Sequence, residues 1–210
     1  MMHRDRIAGT TLLITSILSV LIMQHHPQRF NDGPIIGLVH GALIGLIWIM
    51  TTCLLRIAME RGLGAWNVLM SITSLVAAGF ANGIAGSING FVTPSLLERL
   101  EGDSLQVVTA LCWRLNQTAA MIGAVGVSLG MLLWSYRRDL LRQPWSTRLV
   151  AVTGIAGGVL SLGVLVVHHG ELQVHAAMVL YAIQSLWHAM VGVDHMLQPT
   201  IHPSEGSVKE

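Results

Sequence analysis

The stretch "IIGLVHGALIGLIWIMTTCLL", residues 35 to 55, contains no lysine, arginine, aspartate or glutamate. A helix needs roughly 20 mostly apolar residues to cross the hydrocarbon core of a membrane, and this stretch is long enough. A helix also satisfies its backbone hydrogen bonds internally, which hydrocarbon requires of any structure that spans it. The stretch therefore predicts a transmembrane helix that carries a histidine, His40, near its start.

Five further segments of this kind lie along the chain, so we expect an all-α, polytopic membrane bundle of six transmembrane helices. Their expected bounds, with the first stretch included, are 7–23, 35–55, 65–91, 105–134, 149–167 and 174–197. Only 11% of the 210 residues are charged, whereas a soluble domain carries about 25%. We expect residues 1–203 to form a single transmembrane domain and residues 204–210 a polar C-terminal tail.

The distribution of basic residues predicts the orientation of the bundle, because lysine and arginine accumulate on the cytoplasmic side. One side would carry Arg4, Arg6, Arg56, Arg61, Arg137, Arg138, Arg142, Arg148 and Lys209, and the other only Arg29 and Arg99. We therefore expect both termini in the cytoplasm of a cell with a bacterial-type inner membrane. The partner is the lipid bilayer, with a homo-oligomer or membrane complex left open. A net charge of +1 argues against nucleic acid.

Six of the ten histidines fall at the outward-facing side of this predicted topology. Neutral imidazole is the commonest metal ligand, it suits zinc and copper, and it can also ligate haem. Among these residues, His40 is the strongest candidate for a haem axial ligand, because Gly37 and Gly41 beside it could let a flat group approach. The candidate metal ligands are His25, His26, His40, His168, His169 and His175.

Further polar residues lie in the outward-facing halves of the third and fourth segments. An arginine in a span is costly, by about 2.5–3.5 kcal/mol at a helix centre on insertion scales, so we expect Arg114 to face the bundle interior. Together these residues predict a polar pocket. The candidate cofactor-binding residues are His40, Asn82, Asn89, Arg114, Asn116 and His188.

The last segment carries a second, smaller set of polar residues. His188 lies deep in the span, with Ser185 three residues before it and His195 seven residues after it, on one helix face. His188 could act in a proton relay or as a ligand, or simply hydrogen-bond to serine, threonine or asparagine on a neighbouring helix. We interpret Asp194 and His195 as solvated residues near the membrane boundary.

Two other residue types restrict the chemistry and the packing. The single lysine, Lys209, lies in the tail, which excludes a Schiff base within the membrane. Cys53 and Cys112 are interpreted as small buried residues. Glycines at four-residue spacing predict close helix packing, in the rows Gly37–Gly41–Gly45, Gly79–Gly83, Gly86–Gly90 and Gly126–Gly130.

Three functional hypotheses follow from these residues. The first is an inner-membrane protein that binds a transition metal (zinc or copper) or haem through the histidine-rich site in its outward-facing half. The second is an intramembrane enzyme acting on a lipid or quinone, with His40, Arg114 and Asn116 around the headgroup. The third is a non-catalytic accessory membrane subunit whose polar residues only pack helices.

Overall fold

The computed structural model describes residues 6–26, 34–61, 63, 65–136, 139–167 and 172–198, and this part of the chain contains helices and no strand. Six helical segments are long and apolar enough to cross a membrane, which confirms the predicted fold class. The elements are α1 (Arg6–Gln24), α2 (Ile35–Arg61), α3 (Trp66–Ser87), a π-helical turn (Ile88–Val92), α4 (Thr93–Leu97), α5 (Gly102–Ser135), a 3-10 turn (Leu140–Arg142), α6 (Trp145–Val167) and α7 (Val174–Leu197). Residues 199–210, with the predicted tail, lie outside the described residues.

The third span continues further than its sequence pattern indicated. We expected it to end at Phe91, but α3, the π-helical turn and α4 form one continuous helix to Leu97. Pro94 has no backbone N–H, and its ring would clash with the carbonyl of Gly90, four residues earlier, in a regular α-helix. The π-helical turn widens the helix before Pro94 and avoids this clash. In it the amide of Thr93 donates to the carbonyl of Ile88, which is five residues earlier rather than four.

The six spans form a closed ring. Each span packs against the next one along the chain, and α7 packs against α1. Short connections between consecutive helices favour this antiparallel neighbour arrangement. We call the end where α1 finishes and α2 begins the His40 end, and the opposite end, where α7 finishes, the Asp194 end.

Glycines permit the closest approaches in this ring. A Cβ on Gly192 of α7 would lie 2.6 Å from the carbonyl oxygen of Gly9 in α1, so this pair closes the ring through backbone contact. Gly126 of α5 has a similar role, because a Cβ there would lie 2.9 Å from the Cβ of Ala78 in α3. Gly45 has no neighbouring atom within 4 Å. The predicted glycine rows therefore contain packing positions, but Gly45 is not one of them.

The interior of the ring is filled with apolar side chains towards the Asp194 end. Leu54, Ile57 and Val191 are 0–1% exposed and belong to one buried cluster. Cys53 and Cys112 are both buried and not disulfide-bonded, which confirms their interpretation as small core residues. Towards the His40 end the ring encloses a larger pocket.

Candidate binding pocket

A pocket of about 200 Å³ lies inside the ring at the His40 end. Its walls are mostly aliphatic and come from α1, α2, α3, α5 and α7, with Trp113 at one side. The polar side chains among its lining residues are His26, His40, Asn82, Asn89, Asn116, Gln117, Tyr181 and Gln184. Of the predicted cofactor-binding residues, His40, Asn82, Asn89 and Asn116 therefore share one pocket.

His40 is the most deeply enclosed histidine at this end, with 5% of its surface exposed. Its Nδ1 lies 2.9 Å from the carbonyl oxygen of Ile36, one turn earlier in α2. A carbonyl oxygen only accepts, so Nδ1 carries the hydrogen, and in the neutral ring Nε2 is left with a lone pair. Within the described residues this Nε2 has no hydrogen-bond partner. His40 thus presents an unsatisfied acceptor at the pocket.

The π-helical turn holds His40 in place. A Cβ on Gly90 would lie only 2.5 Å from the Cβ of His40, so the absence of a side chain at Gly90 lets the two helices meet there. The turn also places Phe91 over α2, where a Cβ on Gly37 or Gly41 would lie 3.3 or 3.4 Å from its ring. The Phe91 ring therefore lies beside Gly37 and Gly41, where a haem was expected to be able to approach.

Gln184 on α7 supplies the complementary polar atom. This side chain is 7% exposed, and its Nε2 donor finds no partner in the part of the chain that the structure describes. Asn82 of α3 lies close by against Gly123 of α5, where any Cβ would overlap the Asn82 amide. The position of Asn82 thus depends on Gly123, which does not belong to the predicted glycine rows.

Gln117 has a structural part in the pocket wall. Its Oε1 accepts from the backbone amide of Leu172 at 2.8 Å, and its Nε2 donates to the carbonyl of the same residue at 3.3 Å. These two bonds fix the chain just before α7 begins. Because both ends of the Gln117 amide are engaged, this side chain holds the pocket closed at one side and offers little to a ligand.

The structure brings only part of the predicted histidine cluster together. The rings of His26 and His40 are in contact, with centroids 4.8 Å apart and planes at 69°. His25 and His175 are exposed, and His25 Nδ1 bonds to the carbonyl of Leu21 in its own helix. The predicted ligands His168 and His169 lie outside the described residues. Within those residues no group of three or more His, Cys, Asp or Glu side chains is arranged to hold a metal ion.

Arg114 does not face the interior, contrary to expectation. Its side chain is exposed on α5 and is not part of the pocket lining. Gln117, three residues further along α5, is level with Leu172 at the start of α7. At 1.5 Å per residue, Arg114 is about 4.5 Å closer to the His40 end. The guanidinium can therefore extend to the membrane interface.

Asp194 and His195 are not solvated, which corrects the second interpretation made from the sequence. They are 0% and 1% exposed at the Asp194 end. Ser146 and Thr147 of α6 donate to Asp194 Oδ1 at 2.7 and 2.8 Å. Their proximity depends on the packing of α6 against α7, which no local sequence pattern reveals.

Glu60 is a further buried charge that the sequence analysis did not single out. Its Oε2 lies 3.4 Å from His195 Nε2, and its Oε1 lies 3.0 Å from Arg56 Nε, one turn earlier in α2. The i,i+4 spacing of Arg56 and Glu60 is a recognisable pairing signal in a helix. This spacing could have indicated the Arg56–Glu60 pair from the sequence. It could not have indicated the contact of Glu60 with His195 on α7.

His188 lies beyond the pocket, deeper in the ring. It is 8% exposed, and its Nδ1 has no hydrogen-bond partner among the described residues. Nδ1 therefore makes no hydrogen bond to a serine, threonine or asparagine of the described residues. His188 lines a second, smaller cavity together with Gln184 and Ser185.

Together these features define a polytopic α-helical protein, compatible with a membrane, whose helical ring encloses a largely apolar pocket with a few polar groups. No family model matches the chain, and neither a curated protein nor a solved structure matches it. The functional assignment therefore depends on the chemistry of the pocket.

Proposed function

We propose that this protein binds a small ring compound that carries a hydroxyl group, of the hydroquinone type, in the pocket at the His40 end. The observation that carries the proposal is that three buried polar atoms at the same apolar pocket have no hydrogen-bond partner among the described residues, His40 Nε2, Gln184 Nε2 and Tyr181 Oη. The first two are of opposite kind. His40 Nε2 can accept a hydrogen bond, and Gln184 Nε2 can donate one.

The size of the pocket supports a ligand of this class. An engineered apolar cavity of about 150 Å³ in another protein binds benzene, and the present pocket measures about 200 Å³. A six-membered ring with small substituents therefore fits. The mostly aliphatic walls would stabilise the ring by burying it, at about 25 cal/mol per Å² of apolar surface.

The two polar atoms of opposite kind specify what the ring should carry. A buried polar group without a partner costs about 1–3 kcal/mol. A ligand that hydrogen-bonds to both His40 Nε2 and Gln184 Nε2 removes both of these costs. A hydroquinone hydroxyl can donate to His40 Nε2, and hydroxyl oxygens can accept from Gln184 Nε2. A quinone carries only acceptor oxygens and leaves His40 Nε2 unsatisfied. The glycerol hydroxyl of a lipid headgroup offers the same donor and acceptor chemistry from a different source.

Equilibrium binding to purified protein in detergent tests this proposal. The probes are a short-chain hydroquinone, kept reduced, and the corresponding quinone. We expect the hydroquinone to bind about 5- to 150-fold more tightly, which corresponds to about 1–3 kcal/mol for one unsatisfied buried acceptor. A separate competition with phosphatidylglycerol distinguishes a lipid hydroxyl from the ring compound as the preferred occupant.

The substitution His40→Leu should abolish the preference for the reduced form. His25→Leu is the matched control, because His25 bonds through Nδ1 to the carbonyl one turn earlier in the same way as His40 but is exposed. Equal binding of both probes to the wild type, or an unchanged preference in His40→Leu, would contradict the proposal. If neither probe binds, the interpretation as an accessory subunit gains support.

Binding of a transition metal is the second candidate function, and the contact between His26 and His40 supports it. A neutral imidazole whose Nδ1–H is held by a backbone carbonyl, as in His40, has the form usual in metal-binding histidines. Zinc or copper would need further ligands besides this pair. Elemental analysis and an absorption spectrum of gently purified protein test for metal and haem. A content of zinc, copper and haem that is negligible, or that His40→Ala leaves unchanged, excludes this pair as the site.

The cellular location proposed for the chain is a bacterial-type inner membrane, with the pocket opening away from the cytoplasm. Support comes from the basic residues, since the predicted topology assigns nine of them to the side that would face the cytoplasm and two to the other. Hydroxyl-bearing ligands would then reach the pocket from the outer leaflet or from the space beyond it.

A further inference from the structure

A second cavity of about 30 Å³ lies between the pocket and the middle of the ring. The pocket and this cavity share four lining residues, Ile47, Asn82, Tyr181 and Gln184, so they are neighbouring spaces separated by a few side chains. Ser185 and His188 of α7 and Leu54 of α2 also line the cavity. The cavity therefore connects the region of the pocket with His188, the histidine nearest the middle of α7.

Three buried polar atoms without a hydrogen-bond partner among the described residues belong to side chains at this small cavity, Tyr181 Oη, Gln184 Nε2 and His188 Nδ1. Gln184 and His188 are four residues apart on one face of α7, about 6 Å along its axis, and they are 7% and 8% exposed. Neither Gln184 Nε2 nor His188 Nδ1 has a hydrogen-bond partner within the residues that the structure describes. Since each such atom costs about 1–3 kcal/mol, an occupant that pairs with both would stabilise the fold.

Water is the occupant that fits this space. A water molecule needs about 10–15 Å³ on this scale and two to four polar partners, and the cavity offers about 30 Å³. A water can accept from Gln184 Nε2 and donate to His188 Nδ1. Thr51 also lines the cavity, and its Oγ1 donates to the carbonyl of Ile47 at 2.8 Å, so its oxygen can still accept from water.

The way onward from His188 towards the Asp194 end is filled with apolar side chains. Val191 lies next along the same face of α7, and it is buried in the core cluster with Leu54 and Ile57, all 0–1% exposed. The next polar group on that face is the fully packed His195. Along the described part of α7, the open space beside His188 therefore lies towards the pocket and not towards the Asp194 end.

We infer that the small cavity is a hydration site whose water connects His188 with the pocket, so that His188 exchanges hydrogen with solvent from the His40 end only. The inference does not depend on which ligand the pocket takes, because it concerns the protein without a ligand. His188 is then a buried group that contacts water from the His40 end.

Solid-state NMR of the protein in lipid bilayers, labelled with ¹⁵N-histidine, tests the inference. Magnetisation transferred from water should reach the ring nitrogens of His188, which are assigned by the loss of their signals in His188→Gln. Exposed His25 gives the positive control for the transfer. A wild-type protein in which His25 receives water magnetisation and His188 does not would overturn the inference.

The substitution Gln184→Met then tests the path. It keeps an unbranched side chain of similar length but removes the amide that would hold the water, so the transfer to His188 should be lost. Gln143→Met is the matched control, since it makes the same change in the loop before α6, and it should leave the transfer intact. Transfer to His188 that persists in Gln184→Met would show that the water lies elsewhere. Because the wild-type spectrum alone decides whether His188 is hydrated, the test does not depend on the folding of either variant.

Discussion

Single residues at the Asp194 end show how a buried charge is satisfied inside an apolar bundle. Asp194 Oδ1 accepts from the hydroxyls of Ser146 and Thr147, and its Oδ2 accepts from Gln198 Nε2 at 2.8 Å. A buried carboxylate is tolerated only when its lone pairs have partners. This one therefore ties the start of α6 to the end of α7.

We predict that Asp194→Ala lowers the melting temperature of the purified protein, because Ser146 and Thr147 are buried and lose their acceptor. Each unpaired hydroxyl should cost about 1–3 kcal/mol. Asp194→Asn, which keeps one acceptor oxygen, should lose less. Asp139→Ala is the control on an exposed loop residue. Equal melting temperatures for Asp194→Ala and Asp139→Ala would refute this account of the contact.

At the scale of one element, the π-helical turn Ile88–Val92 decides the shape of the pocket. Turns of this kind are frequent at functional sites, and here the turn lets the helix pass Pro94 while Gly90 approaches His40. The same turn places Asn89 in the pocket lining and Phe91 against α2. A regular helix would direct these side chains elsewhere.

We predict that Gly90→Ala destabilises the protein and weakens hydroquinone binding, since the new methyl group would meet the Cβ of His40 at 2.5 Å. Overpacking of this kind costs about 1–3 kcal/mol. Gly45→Ala in α2 makes the same change where nothing lies within 4 Å, and it should be neutral or stabilise the helix by up to about 1 kcal/mol. Thermal unfolding and hydroquinone titration of both variants measure the difference. Two variants that respond alike would argue against the close contact of Gly90 with His40.

At the scale of the whole molecule, the spans differ in length. The 34 residues of α5 make a helix about 51 Å long at 1.5 Å per residue, whereas the hydrocarbon core measures about 30 Å. The third span has 32 residues and α1 only 19. In a membrane, the long hairpin of the third span and α5 would therefore have to tilt or project beyond the hydrocarbon core. Arg114 lies where α5 passes the start of α7.

We predict that both termini are cytoplasmic. A reporter enzyme that is active only outside the cytoplasm should be active when fused after Asp32, Asp103 or Gly170, because few basic residues lie in those loops. Fusion after Arg142 should be silent, since that loop and the start of α6 carry four of the eight arginines assigned to the opposite side. Silence at any of the first three positions, or activity at the fourth, would reverse or break this topology.

The sequence by itself determined the class of fold and the positions of the spans. A long apolar segment that crosses lipid forms a helix, because in a helix every backbone group can hydrogen-bond within its own segment. For that reason α7 begins and ends at the predicted residues, and the other spans differ mainly at their ends. The sequence also indicated that His40, Asn82, Asn89 and Asn116 share a depth, since depth follows from residue number along a helix.

Only the tertiary structure decided which side chains meet. Depth does not determine the direction in which a side chain points around its helix axis. If one residue faces the interior, a residue at a similar depth but a third of a turn further around the axis faces lipid. His26 thus reaches His40 while His25 stays exposed, Asn116 is buried while nearby Arg114 is exposed, and Asp194 meets the hydroxyls of α6. These directions are set by close contacts such as Gly9 with Gly192 and Gly90 with His40. Such contacts join residues from distant parts of the chain, so no local pattern records them.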